Sequence, residues 1–439
     1  MKFSTRFVIA LATFLGVLLV AAVALGRTDE YPGKTVVTVR LWDRQVAAAY
    51  RASFAEFTHH HPGIEVRVNV VAYSSYFDSL RTDVAGGGAD DIFWLSNAYL
   101  PAYADTGRLL ALGPLTQHAG EWDHAVVEQF TRGGALQAVP QLTDAGIAVY
   151  YNADLLAHAG IDPAQLSNLR WSPGSDDTLR PLLARLTVDR NGIRADASGF
   201  DAGQTRQWGY NAANDLQGIY LNYIGSAGGV FQDGDRFAFD NPGATMAFEY
   251  LVRLINDDHV APPASDTNDN GDFSRNQFLA GRLALFQSGT YNLAAIADQA
   301  TFRWGVALLP SGPQGRVSVT NGIAAAGNSA TAHPDAVREV LSWMGSAQGN
   351  TFLAAGGAAI PATLAAQRAY FDYWAGRHVD VRPFFQVLDG PRITAPGGTG
   401  FPAGFRALKP FFDAMFLGRA PVGRTLTQAR IAANAAAQR

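Results

Sequence analysis

The chain has 439 residues, 48% of them hydrophobic and 16% charged, enough apolar material for more than one core. Its 34 Lys and Arg against 38 Asp and Glu leave a net charge of −4 with no basic block, which argues against a nucleic-acid partner. With no cysteine, disulfides, thiolate metal sites and cysteine nucleophiles are excluded together.

Lys2 and Arg6 precede an uncharged apolar run from Phe7 to Leu25, which ends at Gly26-Arg27-Thr28-Asp29-Glu30. Positive charge followed by an apolar stretch is the grammar of an export signal. Ala22-Val23-Ala24 offers a cleavage site, and the run is also long enough to remain as an uncleaved membrane anchor. Residues 1–27 are therefore expected to carry the chain out of the cytoplasm, leaving it secreted or held to the outer face of the membrane. A lipid anchor is ruled out because its cysteine is absent.

Lys34 to Trp42 (KTVVTVRLW) has the β-branched enrichment of a strand, and Gln45 to Phe57 then places Val46, Ala49, Tyr50, Phe54 and Phe57 at helical spacing. Pro62-Gly63 breaks that helix, and Ile64 to Val71 alternates as a second strand. Tyr76 to Val84 reads as a helix, Gly86-Gly87-Gly88 as a turn, and Asp91 to Leu95 as a third strand. Strand alternating with helix is the rhythm of a parallel α/β sheet, whose ligands sit outside the carboxyl ends of the strands. Here those ends lie near Trp42, Tyr73 and Asn97. A further strand is expected over Gly146 to Asn152, another closing on GRLALFQSGTYN (281–292), a new region from Thr320-Asn321-Gly322, and a helix over Thr425 to Arg439.

Several tempting signals fail on inspection. His59-His60-His61 ends a helix, where consecutive residues point in different directions, so no metal site is expected there. Asp266 to Gly271 follows the first half of a calcium loop, D-x-N-x-N-G, but Gln277 stands where the bidentate Glu belongs. No Gly-Lys-Ser/Thr follows the glycine run, and Gly225-Ser226-Ala227-Gly228 has the wrong spacing for a nucleophile elbow. No cofactor, metal or catalytic residue is expected.

Seven motifs in order carry a resemblance. They are TVRLWD (38–43), FAEFTHHHPGIEVRVN (54–69), ADDIFWLSNAYLPAYADTGRLLAL (89–112), AVPQLTDAGIAVYYNADLLAHAGI (138–161), FLAGRLALFQSGTYN (278–292), WGVALLPSGPQGRVSVTNGIAAA (304–326) and GGAAIPA (356–362). Together they resemble the family 1 extracellular solute-binding proteins, the maltodextrin-binding type. The wording NDLQGIYLNYIGSAGGVFQDGDRFAFDNP is most similar to sugar-binding subunits of actinobacterial Usp-type importers, which are associated with amino sugars. The resemblance implies an α/β, two-lobed periplasmic-binding-protein-like fold: two α/β lobes joined by hinge strands, with the ligand in the cleft between them. The hinge crossings would fall at Gln141 to Asp144 and Val319 to Asn321. Lobe one would then be 35–142 plus 321–366, and lobe two 143–320 plus 367–439.

The same resemblance implies a monomeric carrier that captures a carbohydrate and delivers it to the permease of an ABC importer, with no chemistry performed. A sugar offers an apolar face to aromatic rings and a rim of hydroxyls to carboxylates, amides and Arg. Matched to the family pattern, Trp42 and Asp43 stand where the first strand delivers ligand contacts, and Asn97 where a polar residue follows the third. Asp144 matches a carboxylate just past the first hinge, Tyr291 an aromatic platform, and Asn321-Gly322 a hinge where backbone approaches the ligand. Arg406 resembles a late Arg that reaches the cleft; Tyr73, Tyr76, Asn222 and Tyr223 are further candidates. An amino sugar would be favoured if Asp43 and Asp144 converge on one point. A secreted glycoside hydrolase would need two carboxyls about 5–9.5 Å apart across one bond, and no element singles out such a pair. A sugar sensor without transport fits the same motifs.

Overall fold

The computed structural model describes residues 31–143, 145–393 and 395–438. The expected export segment, residues 1–27, lies outside the described residues. Among those described, no helix is long and apolar enough to cross a membrane.

The first lobe begins with the expected alternation: β1 (Thr35–Leu41), α1 (Arg44–His60), β2 (Ile64–Val70), α2 (Tyr73–Gly86) and β3 (Ile92–Ser96). Val37, Val39 and Leu41 alternate along β1 and are fully buried, the period-two signature of a strand with one face in a core. The three strands are parallel, with β1 between β2 and β3. The sheet is completed by β4 (Val139–Thr143) and by β8 (Gly322–Gly327), which pairs antiparallel to both β3 and β4. It is thus mixed rather than purely parallel, because the chain returns from the other lobe to supply β8. Helix α3 (His124–Gln129) precedes β4, and α6 (Pro334–Gly345) and α7 (Ala347–Ala355) follow β8. This body has its own buried core, including Tyr50, Phe57, Phe93, Trp94 and Leu341.

The second lobe holds a three-stranded antiparallel sheet in which β5 (Ala148–Asn152) lies between β6 (Leu285–Ser288) and β7 (Trp304–Ala307). Its helices include α4 (Pro242–Asn256), α5 (Phe273–Leu279), α9 (Phe401–Phe416) and α10 (Val422–Ala437). Its core includes Leu183, Tyr220, Phe248, Leu251 and Phe412. A third buried cluster joins Tyr150 and Phe286 of this lobe to Ile360, and to Tyr370 and Trp374 of α8 (Leu364–Gly376). It lies where the chain crosses between the two bodies. Backbone bonds from Thr143 to Ile360 (3.1 Å) and from Ala362 to Gln141 (2.9 Å) strap the same region.

Candidate ligand-binding cleft

The parallel strands of the first lobe end together, and β1 delivers Trp42 and Asp43 there. Trp42 is half-buried in a nest of rings: Tyr76 at 4.8 Å, Trp94 at 5.0 Å, Phe77 at 5.6 Å and Tyr73 at 5.7 Å between centroids. Tyr73 is 61% exposed, so it forms the open side of this nest. Tyr76 is instead a strut: it is fully buried, and its hydroxyl lies 3.1 Å from the Arg40 carbonyl and 2.9 Å from that of Trp94.

Asp43 caps α1. Its Oδ1 accepts from the backbone N–H groups of Gln45 (2.8 Å) and Val46 (3.0 Å), satisfying two donors that the first helical turn cannot pair. Both bonds fall on one oxygen, which leaves Oδ2 unengaged among the described residues. Burial pushes the carboxyl above the usual carboxylate range, against the pull of the two N–H donors and of the positive charge of Arg275. Arg275 belongs to α5 of the second lobe and pairs with Asp272 at 3.1 Å. A first-lobe carboxylate thus feels a second-lobe guanidinium.

The other expected residues are distributed around this point. Asn97 follows β3 and is half-buried, with its Oδ1 enclosed and without a hydrogen-bond partner among the described residues. It sits against the second-lobe segment 395–400: a Cβ placed on Gly397 would lie 3.6 Å from the Asn97 carbonyl. Tyr291, 39% exposed, lies in the turn after β6, where a Cβ on Gly289 would come within 2.3 Å of its ring. Only glycine lets that ring settle on the backbone. Asn321 is half-buried at the start of β8. Gly322 donates its N–H to Gln129 Oε1 at 2.6 Å, and a Cβ there would meet Val126 at 2.7 Å. Its lack of a side chain therefore serves close packing on α3 within the first lobe. Asp144 lies outside the described residues.

Arg406, on α9, pairs across the lobes with Asp78 of α2 at 3.6 Å, both side chains about half exposed at 45% and 59%. Nearby, Tyr99 stacks flat on Phe77 at 3.6 Å and meets Phe401 edge-on at 5.8 Å, so one ring touches both bodies. Asp105 completes this edge: Arg132 grips it through a forked pair, one arm at 2.6 Å, and the Thr399 hydroxyl donates to it from the second lobe. The Arg132 guanidinium holds the Asp105 carboxyl below its ordinary value. Asn222 and Tyr223 are buried inside the second lobe, where Asn222 Oδ1 accepts from Val319 N–H at 3.1 Å and the Tyr223 hydroxyl donates to Tyr210 at 3.1 Å.

Sequence reasoning missed Arg275, Tyr99, Asp105 and Thr399. Arg275 was masked by the acidic loop preceding it, whose charges are met from outside the loop. Lys409 Nζ lies 2.7 Å from Asp269 and 2.6 Å from Asp413, so a lysine supplies positive charge to that loop.

The profile of the bacterial extracellular solute-binding proteins matches residues 43–351. A crystal structure of UspC from M. tuberculosis is 72% identical, covers 92% of this chain and 100% of that one, and superposes with a TM-score of 0.72. An ABC substrate-binding protein from Listeria monocytogenes in complex with cycloalternan is 18% identical over 92% of this chain and 98% of its own, with a TM-score of 0.77. Among curated relatives, a "Probable ABC transporter-binding protein" of Deinococcus radiodurans is 26% identical over 51% of this chain and 50% of its own length. A lactose-binding protein of Rhizobium radiobacter is 25% identical over 57% of this chain and 56% of its own. The chain thus spans about half the length of these curated relatives, both described as binding proteins. It belongs to the bacterial extracellular solute-binding proteins, a family that works outside the cytoplasm.

Proposed function

We propose that the chain is the carrier subunit of an ABC importer, and that it holds a carbohydrate between its lobes and passes it unchanged to a membrane permease. The observation that carries the reading is the pairing of Trp42 with Asp43 at the end of β1. Flat rings open to solvent through Tyr73 stand beside a desolvated carboxylate with one unengaged oxygen, within the electrostatic reach of an Arg from the other lobe. An apolar face next to charge-assisted acceptors and donors is what a sugar ring and its hydroxyls require. The lactose-binding relative and the relative named for ABC transport support cargo class and partner. Hinge crossings at Gln141 to Asp144 and Val319 to Asn321 are supported by two of the buried clusters, one over residues 37–142 with 324–362 and one over residues 147–319 with 387–433, while a third takes residues from both stretches.

A thermal-shift screen against mono-, di- and amino sugars and glycerophosphodiesters tests the cargo, since a ligand of the folded state raises the melting point by mass action. Stabilisation by one sugar class with no sugar consumed is the expected result; no stabilisation, or loss of the sugar, overturns the reading. Asp43 can then be separated into its two roles. Asp43→Asn keeps a good helix cap and removes the charge, so it should weaken sugar binding while leaving the melting point near that of the parent. Asp43→Ala should weaken binding and also lose about 1 kcal/mol of stability in denaturant unfolding. Unchanged affinity in both variants would reduce Asp43 to a cap.

A further inference from the structure

Helix α1 starts at the cleft with Asp43 and runs 17 residues to His60, about 25 Å away at 1.5 Å per residue. Its far end gathers groups that the carrier reading does not use. The three consecutive histidines do point in different directions, but Glu56, one turn earlier, changes the count. Residues spaced by three and four share a helix face. Glu56, His59 and His60 accordingly each offer a ligand atom, and all three atoms lie within 4.8 Å of one another. His60 Nε2 is already 3.0 Å from Glu56 Oε1. His61 takes another direction: its ring stacks on Phe57 at 4.4 Å, and its Nδ1 is 3.2 Å from Glu339 of α6.

Three further features suit a cation here. The last turn of a helix presents unpaired carbonyls and the negative end of its dipole. Among the described residues, the ion pairs of Glu56 and Glu339 are made by histidines, so no Lys or Arg already fills the place. The side chains of Glu56 and His60 are 43% and 49% exposed, so small rotations that draw the three atoms toward one centre meet little packing.

We infer that the last turn of α1 is a surface site for a borderline divalent cation of the zinc class, held by Glu56, His59 and His60. Two imidazoles and one carboxylate are a donor set for Zn²⁺, Ni²⁺ or Cu²⁺, whereas Mg²⁺ and Ca²⁺ require oxygen ligands throughout. Water completes the coordination. The site stands on the outer surface and leaves the cleft to the cargo.

Calorimetric titration of the whole chain with ZnCl₂, without any added histidine tag, tests this directly. One ion per chain is expected, with binding at least about tenfold weaker in His59→Ala, in His60→Ala and in Glu56→Gln. His61→Ala should bind as the parent does. The Trp343 ring is 6.2 Å from that of His60, so Cu²⁺ should quench a component of the fluorescence that Trp343→Phe removes. Glu56, His59, His60 and His61 lie on the surface, and unchanged melting points without metal, for these variants and for Trp343→Phe, would show that all of them fold. Absence of binding to the parent, or binding that survives both His59→Ala and His60→Ala, overturns the proposal.

Discussion

The lobes meet along two edges, and the two are built from opposite chemistry. On the edge where the chain crosses, Tyr150, Phe286, Ile360, Tyr370, Trp374 and Phe384 form one cluster, each no more than 4% exposed. On the edge where no chain crosses, the contacts include Arg406 with Asp78, Thr399 with Asp105, and the ring of Tyr99 between Phe77 and Phe401. The contrast has a physical reason. An edge tied by covalent strands stays shut, so it can bury large apolar surfaces and act as a hinge core. An edge that must part to admit a ligand exposes whatever it is made of. Ions and hydroxyls exchange their partners for water at small loss, whereas a wide apolar surface would not.

The sharpest way to break the comparison is to attack the hinge core. Trp374 is fully buried within it. Trp374→Ala should lose about 3–5 kcal/mol, read from denaturant unfolding, because both transfer and cavity terms apply. A loss below about 1 kcal/mol would mean that this cluster is peripheral and that the two edges do not differ as described.

How much of this was open to sequence reasoning differs in the same way between the edges. The run from β1 to β3 is legible because Val37, Val39 and Leu41 alternate, and because Val46, Tyr50, Phe54 and Phe57 keep helical spacing. Strand β8 is not: GIAAAG carries no β-branched pattern beyond Ile323, and its place between β3 and β4 depends on pairings some 180 and 230 residues away in sequence. Around the candidate cleft, Trp42, Tyr73 and Asn97 could be named because strand ends are where such sheets bind ligands, whereas Asp43 came from the family resemblance. Of the opening edge only Arg406 was reachable, through the family resemblance. Asp78, Asp105, Thr399 and Arg406 are ordinary surface residues until folding brings them together, and no local pattern marks the meeting.

Tyr99 gives a smaller effect, one that joins the two edges' logic. It is the aromatic element of an otherwise polar clasp, in one flat and one edge-on ring contact. At about 0.5–1.5 kcal/mol for each aromatic pair, Tyr99→Ala should remove about 1–3 kcal/mol. Part of this should appear as weaker sugar affinity, because the contact with Phe401 exists only while the lobes are together. Tyr99→Phe should retain nearly all of it. Scattering from the unliganded variant should show a more open shape than the parent; an unchanged shape and affinity would confine Tyr99 to packing within its own lobe.

The smallest effect is expected from the ionic contacts, and it is the most diagnostic. Exposed pairs contribute about 0–1 kcal/mol, so Asp105→Asn or Arg406→Ala should barely move the melting point. Each should nevertheless weaken sugar binding a few-fold at low salt, since a closed state that is less populated lowers apparent affinity by the same fraction. That difference from the parent should shrink as salt is added. Asp105 also sets a sign for pH. Arg132 and Thr399 hold its carboxyl below the ordinary value, so its contribution is full above that ordinary value and is lost as pH falls through the lowered one. Parent and Asp105→Asn should therefore differ in affinity at neutral pH and converge in acid. A difference that persists in acid would place the effect of Asp105 in its hydrogen-bonding shape, which Asn shares only in part, rather than in its charge.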